Sequence, residues 1–101
     1  MDSLRFHRLA AQEYRFALDW YRKRDAAVAA RFRDAVDAAA NRILNDPDSH
    51  FEIVDGIRSV RLRRFPYMLV FARDSGESVL ILAVAHAKRR TGYWKRRQKL
   101  V

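Results

Sequence analysis

The chain has 101 residues, 50% of them hydrophobic and 12% aromatic, with a formal net charge of +9; this is enough apolar surface for one domain around one core, and too little for two. No apolar run approaches the roughly 20 residues that span a bilayer, and Met1-Asp2-Ser3 opens no secretory signal, so a soluble, cytoplasmic protein without membrane contact is expected. Cysteine is absent, which excludes disulfides, thiolate chemistry and cysteine-ligated zinc, and His7, His50 and His86 lack metal-site spacing.

In chain order, Leu4-Arg5-Phe6-His7 alternates as a short edge strand does. From Leu9 the period changes: Leu9, Tyr14, Ala17, Leu18 and Tyr21 recur at helical spacing and predict a helix to about Lys23. Asp25 is a good N-cap for a second helix, in which Val28, Phe32, Ala35, Val36, Ala39, Ile43 and Leu44 form an apolar stripe. Asp46-Pro47 ends it near Asn45. The short link between the helices makes them an antiparallel hairpin. Trp20 and Tyr21 are expected in the core.

His50 to Gly56 leaves two readings open, an extension of the sheet's first strand or a loop packed by Phe51 and Ile53. Next, Ser59, Arg61 and Arg63 alternate with Val60 and Leu62, the pattern of a strand with one wet face. Arg64-Phe65-Pro66 is a turn, since proline does not sit inside a central strand. Tyr67 to Phe71 and Val79 to Ala85 are apolar at nearly every position, as central strands are, and residues 73–77 are a polar, glycine-containing hairpin link. Tyr93 to Leu100 has the spacing of a short terminal helix, with Tyr93, Trp94 and Leu100 as its contacts. The expected fold is α+β: an N-terminal strand and an antiparallel helical hairpin packed on an antiparallel sheet, in the order β-α-α-β-β-β. Its other sheet face would be a basic, partly aromatic surface.

Charge is unevenly placed. From Gly56 onward twelve Lys or Arg face only Asp74 and Glu77, giving +10, whereas the first 55 residues sum to −1. Such asymmetry points to a polyanionic or acidic partner. On one strand face, Arg61 and Arg63 would stand about 7 Å apart, near the spacing of successive phosphates, which guanidinium forks bind bidentately. His86, at the end of an apolar strand, reads either as a general acid or base for RNA cleavage or as a strand-end histidine that orients the following turn. Tyr67, Tyr93 and Trp94 read as base-stacking or interface residues, or as core. No phosphate-cradling glycine loop, nucleophile elbow or carboxylate pair is present, so neither a cofactor nor a small-molecule substrate is implied.

Ala11-x-Glu13, Trp20-Tyr21, Ile43 to Pro47, Gly56-x-Arg58, Leu62-x-Arg64-Phe65-Pro66-Tyr67 and Ala83-Val84-x-His86-x-x-Arg89-x-x-x-Tyr93-Trp94 together resemble the RelE/ParE superfamily of bacterial type II toxin–antitoxin toxins. The likeness runs through nearly the whole chain. It implies a small toxin neutralised by an acidic antitoxin that docks on the helical hairpin and the groove beside the sheet. RelE-like members cleave messenger RNA in the ribosome, for which Arg61, Arg63 and His86 would be the catalytic set. ParE-like members poison DNA gyrase without that set, and Arg89, Arg90 and the cationic tail would then form the contact surface, with Arg58, Arg64, Tyr67, Tyr93 and Trp94 as further binding candidates. Met68 stands where the RelE-like pattern has an arginine, and Ala87 near another expected cation; both departures favour the ParE-like reading.

Overall fold

The computed structural model describes residues 3–74 and 78–100, leaving aside the side chains of Lys99 and Leu100. The elements are β1 (Leu4–Phe6), α1 (Arg8–Arg22), α2 (Ala26–Asn45), β2 (Phe51–Val54), β3 (Ile57–Arg61), β4 (Tyr67–Arg73), β5 (Val79–His86) and a terminal 3-10 helix (Lys95–Leu100). The sheet order is β1-β5-β4-β3-β2. β1 runs parallel to β5, and every other neighbouring pair is antiparallel. The α+β architecture follows the sequence reading with three differences. The sheet is mixed, His50 to Gly56 contributes a strand of its own, and the C-terminal segment is 3-10 helix. The expected link at 75–77 lies outside the described residues.

Both helices start where their caps allow. Asp25 Oδ1 accepts from the backbone N–H of Ala27 at 2.9 Å and of Val28 at 3.4 Å, satisfying donors that a helix start leaves open. α1 starts at His7, whose Nδ1 accepts from Leu9 N–H at 3.1 Å. Only an unprotonated Nδ1 can do so. Burial, then the nearby Arg97 and Arg8, hold the His7 pKa below its ordinary 6.5. The unfolded chain therefore takes up this proton first, and stability present above pH 6.5 is lost as pH falls below it. His7→Asn, which keeps a capping oxygen, is expected to flatten that acid slope in urea unfolding between pH 7 and pH 5. An unchanged slope would assign it to other groups.

Ala29, Phe32, Val36, Ala39 and Ile43 are buried at 3.6-residue spacing along α2. Phe32, fully buried, lies within 5.1–6.0 Å, between ring centroids, of Tyr14, Tyr21, Phe65 and Tyr67. These rings pin the hairpin and the β3–β4 turn to one face of β4. The opposite face has its own core, in which Ile57, Val70, Ala72, Leu80, Leu82, Ala83 and Ala85 pack with Trp94. β4 and β5 are apolar throughout because both their faces are covered. The opposite face is thus closed by Trp94 where the sequence reading had an open basic surface.

A bulge in β5 decides which side chains meet the helices. Val70 pairs with Ala83 but Phe71 pairs with Ile81, so Leu82 is the extra residue. Before the bulge Val79 and Ile81 face the helices, and Leu80 and Leu82 the far core; after it Ala83 and Ala85 face the far core and Val84 the helices. His86 follows the phase of Val84.

Candidate functional site

A cleft of about 770 Å3 runs between α1 and the end of the sheet. Its α1 wall carries Leu9, Phe16 and Trp20, spaced i, i+7, i+11, on the rim of the stripe that enters the core. Phe16 is 81% exposed and Trp20 51%, a large apolar exposure for one helix face. Trp20 is therefore a cleft residue and not part of the core; Arg24 stacks on its ring at 3.6 Å, while Tyr21 alone turns inward against Phe32 and Phe65. The other wall is formed by Pro66, Tyr67, Val84, His86, Arg89 and Arg97.

Beyond Ile81 no strand pairs with this edge of β5, because the chain leaves β1 for α1 after His7 N–H bonds Ile81 C=O at 2.8 Å. Side chains take over. Glu13 Oε1 accepts from Val84 N–H at 3.0 Å, and Arg97 Nη1 donates to Leu82 C=O at 2.9 Å. Arg97 also donates to both Glu13 oxygens, at 3.1 and 3.0 Å. With side chains 10% and 13% exposed, this forked pair clasps the tail to α1 at the cleft floor. Arg89 adds an ion pair to Glu13 at 3.4 Å and lies 3.7 Å over the Tyr93 ring. Burial first, and then the Glu13 carboxylate, push the Tyr93 pKa up to about 12, against the pull of Arg89 and Arg97. Tyr93 is thus a neutral phenol at physiological pH. Sequence reading named Glu13 only within the family pattern and Arg97 only as part of the cationic tail, and did not pair the two.

His86 stands on the cleft wall, its ring edge-on to Tyr67 at 5.0 Å, and Nδ1 accepts from Lys88 N–H at 3.1 Å. The latter bond shapes the turn after β5. Arg61 lies elsewhere. It shares the β3 face of Ile57, which belongs to the far core, and pairs with Met68; it therefore points away from the helices, on the face opposite His86. β3 ends at Arg61, so Arg63 is not the next residue on that strand face. It sits in the turn and lines a second cleft against α2. Arg61, Arg63 and His86 do not converge.

Among the other candidates, Arg58 donates to His50 C=O at 2.7 Å and pairs with Glu52 at 3.6 Å, bracing the β2–β3 hairpin. Arg64 lies in the exposed turn, in a left-handed conformation with φ 69°. Tyr67 is half-buried, and burial raises its pKa. Arg90 is exposed and has no ion pair among the described residues. Trp94 is fully buried, so its ring packs and offers no contact surface.

The family model of the ParE toxin of type II toxin–antitoxin systems, parDE, matches residues 4–91. The chain belongs to this family. Solved ParE and RelE toxins share its fold. A chain of the chromosomal ParDE toxin–antitoxin system from P. aeruginosa has a TM-score of 0.72 and 22% identity over 87% of this chain and 98% of that one. The isolated E. coli RelE toxin gives 0.56 and 18% identity over 98% of each chain. A mutant of E. coli RelE in complex with an antitoxin RelB peptide gives 0.58 and 19%, over 98% of this chain and 93% of that one. No curated protein sequence matches this one. As a ParE-family member, the chain is the toxin component of a type II toxin–antitoxin system. Among the described residues, no helix is long and apolar enough to cross a membrane.

Proposed function

We propose that this ParE-family toxin stops growth as a binding protein that traps DNA gyrase, and that its acidic antitoxin silences it by filling the cleft beside α1. The observation that carries the gyrase reading is the divergence of Arg61, Arg63 and His86. Acid–base cleavage of RNA needs the proton-transfer group and the phosphate-binding cations within hydrogen-bond reach of one phosphate. Here two of them lie on opposite faces of the sheet and the third faces α2. The antitoxin reading rests on Phe16 and Trp20 exposed along one wall and Arg89 on the other, a pairing that suits an acidic segment with apolar anchors. Arg90 and the cationic tail add to the net positive charge that attracts such a segment.

A second reading is supported by one feature. His86, Tyr67 and Arg89 share the cleft wall, and a ribosome-bound RNA could present its 2′-hydroxyl there, as in a RelE-like messenger RNA endonuclease. One experiment separates the two. Purified protein, relaxed plasmid, gyrase and ATP are scored for lost supercoiling and trapped, cleaved DNA, with His86→Ala in parallel. Inhibition by both proteins is the expected result. No inhibition at protein well above gyrase, together with a loss of ribosome-dependent RNA cleavage of about two powers of ten in His86→Ala, would overturn it.

A further inference from the structure

Between the end of β5 at His86 and the start of the 3-10 helix at Lys95 the chain is neither strand nor helix. This connection reads Ala87-Lys88-Arg89-Arg90-Thr91-Gly92-Tyr93-Trp94. Residues 87–91 are all exposed, while Tyr93 and Trp94 anchor the far end of the segment in the core beneath it. From Ser78 to Val101 there are seven Lys or Arg, at 88, 89, 90, 95, 96, 97 and 99, and no acidic side chain. Among the described side chains, only Arg89 and Arg97 of these seven reach an acid, and it is the same one, Glu13.

The one threonine of the chain sits in the middle of this cluster. Lys88, Arg89 and Arg90 fill the three positions before Thr91, whereas none of the five serines has more than one cation there. The serines are also engaged or enclosed. Ser3 and Ser78 share a hydrogen bond of 2.9 Å, Ser49 donates to Asp46 C=O at 3.2 Å, and Ser59 lies in β3 between β2 and β4; Ser75 lies outside the described residues. Thr91 is exposed, and its hydroxyl has no partner among the described residues.

A free hydroxyl on an exposed, irregular segment, behind three cations, is what a protein kinase of basic specificity selects through its own acidic groups. The surroundings also suit the product. A phosphate on residue 91 carries roughly −1.5 to −2 charges at pH 7 and three strong acceptor oxygens. Lys95 folds back over the neighbouring Gly92, with Nζ 3.7 Å from the place of a Gly92 Cβ. Arg89 is 53% exposed and lies 3.4 Å from Glu13, which Arg97 already satisfies through both oxygens. Both cations are free to turn to a phosphate beside them, and such charge-assisted bonds outweigh a long, half-exposed ion pair.

We propose that Thr91 is a phosphorylation site for a serine/threonine kinase of basic specificity, and that the phosphate switches the toxin off by capturing Arg89 and Lys95 and cancelling the charge of the tail. Thr91 Oγ attacks the γ-phosphorus of ATP; the Oγ–P bond forms as the bond to the β–γ bridging oxygen breaks, ADP leaves, and the hydroxyl proton passes to the base of the kinase. The acceptor assignment stands on the turn alone, while the switch rests on the gyrase reading above.

The test treats the full-length protein and Thr91→Val with magnesium ATP and a purified kinase of this specificity, and maps the phosphate by peptide mass spectrometry. One phosphate on Thr91, and none on Thr91→Val, is the expected result. The phosphoprotein should then require about tenfold more protein, or above, to inhibit supercoiling by gyrase, and a phosphatase should restore its potency. Thr91→Val treated in the same way should inhibit as the parent does, with an unchanged melting temperature. No incorporation, or phosphate on a serine instead, would overturn the assignment. Phosphate on Thr91 with undiminished inhibition would overturn the switch and leave the gyrase reading intact, whereas failure of the unmodified protein to inhibit would fall on that reading and leave the mapped site standing.

Discussion

Glu13→Ala is expected to remove about 3–5 kcal/mol of folding stability, the usual cost of stripping one partner from a buried, hydrogen-bonded ion pair. The carboxylate holds both Arg97 nitrogens and the Val84 N–H. Without it, a guanidinium 10% exposed keeps Leu82 C=O and the Tyr93 ring at 5.0 Å but no counter-charge, and a β5 edge donor is left unpaired. Urea unfolding at pH 7 measures the loss. Glu13→Ala combined with Arg97→Met should recover much of it, since removing both charges leaves no buried ion alone. A loss below about 1 kcal/mol in Glu13→Ala would mean that the pair behaves as an exposed salt bridge does.

The clasp ties three things to one carboxylate: the inner side of α1, the tail under Trp94, and the β5 edge beyond the bulge. Each forms part of the α1 cleft or supports it. A change that frees the tail is therefore expected to reshape the cleft floor as well as the far core, so that Glu13 substitutions should lower both stability and the antitoxin binding proposed for this cleft.

The helices were legible because their apolar residues repeat at a period the sheet does not share, and because Asp25 and Pro47 mark their ends. β3 to β5 were legible as strands, yet their faces were not. The run Val79 to Ala85 is apolar on both sides, so no alternation betrays the extra residue at Leu82, and that residue decides that His86 faces α1. Placing Arg61 and Arg63 side by side from spacing assumed a regular strand that ends at Arg61, and grouping them with His86 followed the family resemblance, with no account of the bulge that turns His86 to the other face. β2 did have a signal. Asp55-Gly56 stands between two apolar-containing runs, and Gly56 adopts φ 80° at the turn that joins Val54 to Ile57. The Glu13–Arg97 contact joins residues 84 positions apart and left no local trace. Trp20 looked like core because large aromatics usually are, but Leu9, Phe16 and Trp20 form a second stripe beside the buried one.

That second stripe carries the largest binding effect we expect. Phe16→Ala and Trp20→Ala together should weaken binding of the antitoxin about 100-fold or more, measured by calorimetric titration of the purified pair. Exposed aromatic anchors that become buried on binding are the usual hot spots, worth about 2 kcal/mol or more each, and their losses do not simply add. The same substitutions should cost the free toxin less than about 1 kcal/mol, because Phe16 is 81% and Trp20 51% exposed and neither ring holds the core together. Phe51→Ala is the matched control: that ring is 74% exposed on β2, at the opposite edge of the sheet, and its loss should leave the affinity unchanged. In cells, the double variant should escape neutralisation at antitoxin levels that silence the parent. If Phe51→Ala weakens the complex as much as the double substitution does, the antitoxin grips the far edge of the sheet and the α1 cleft faces something else.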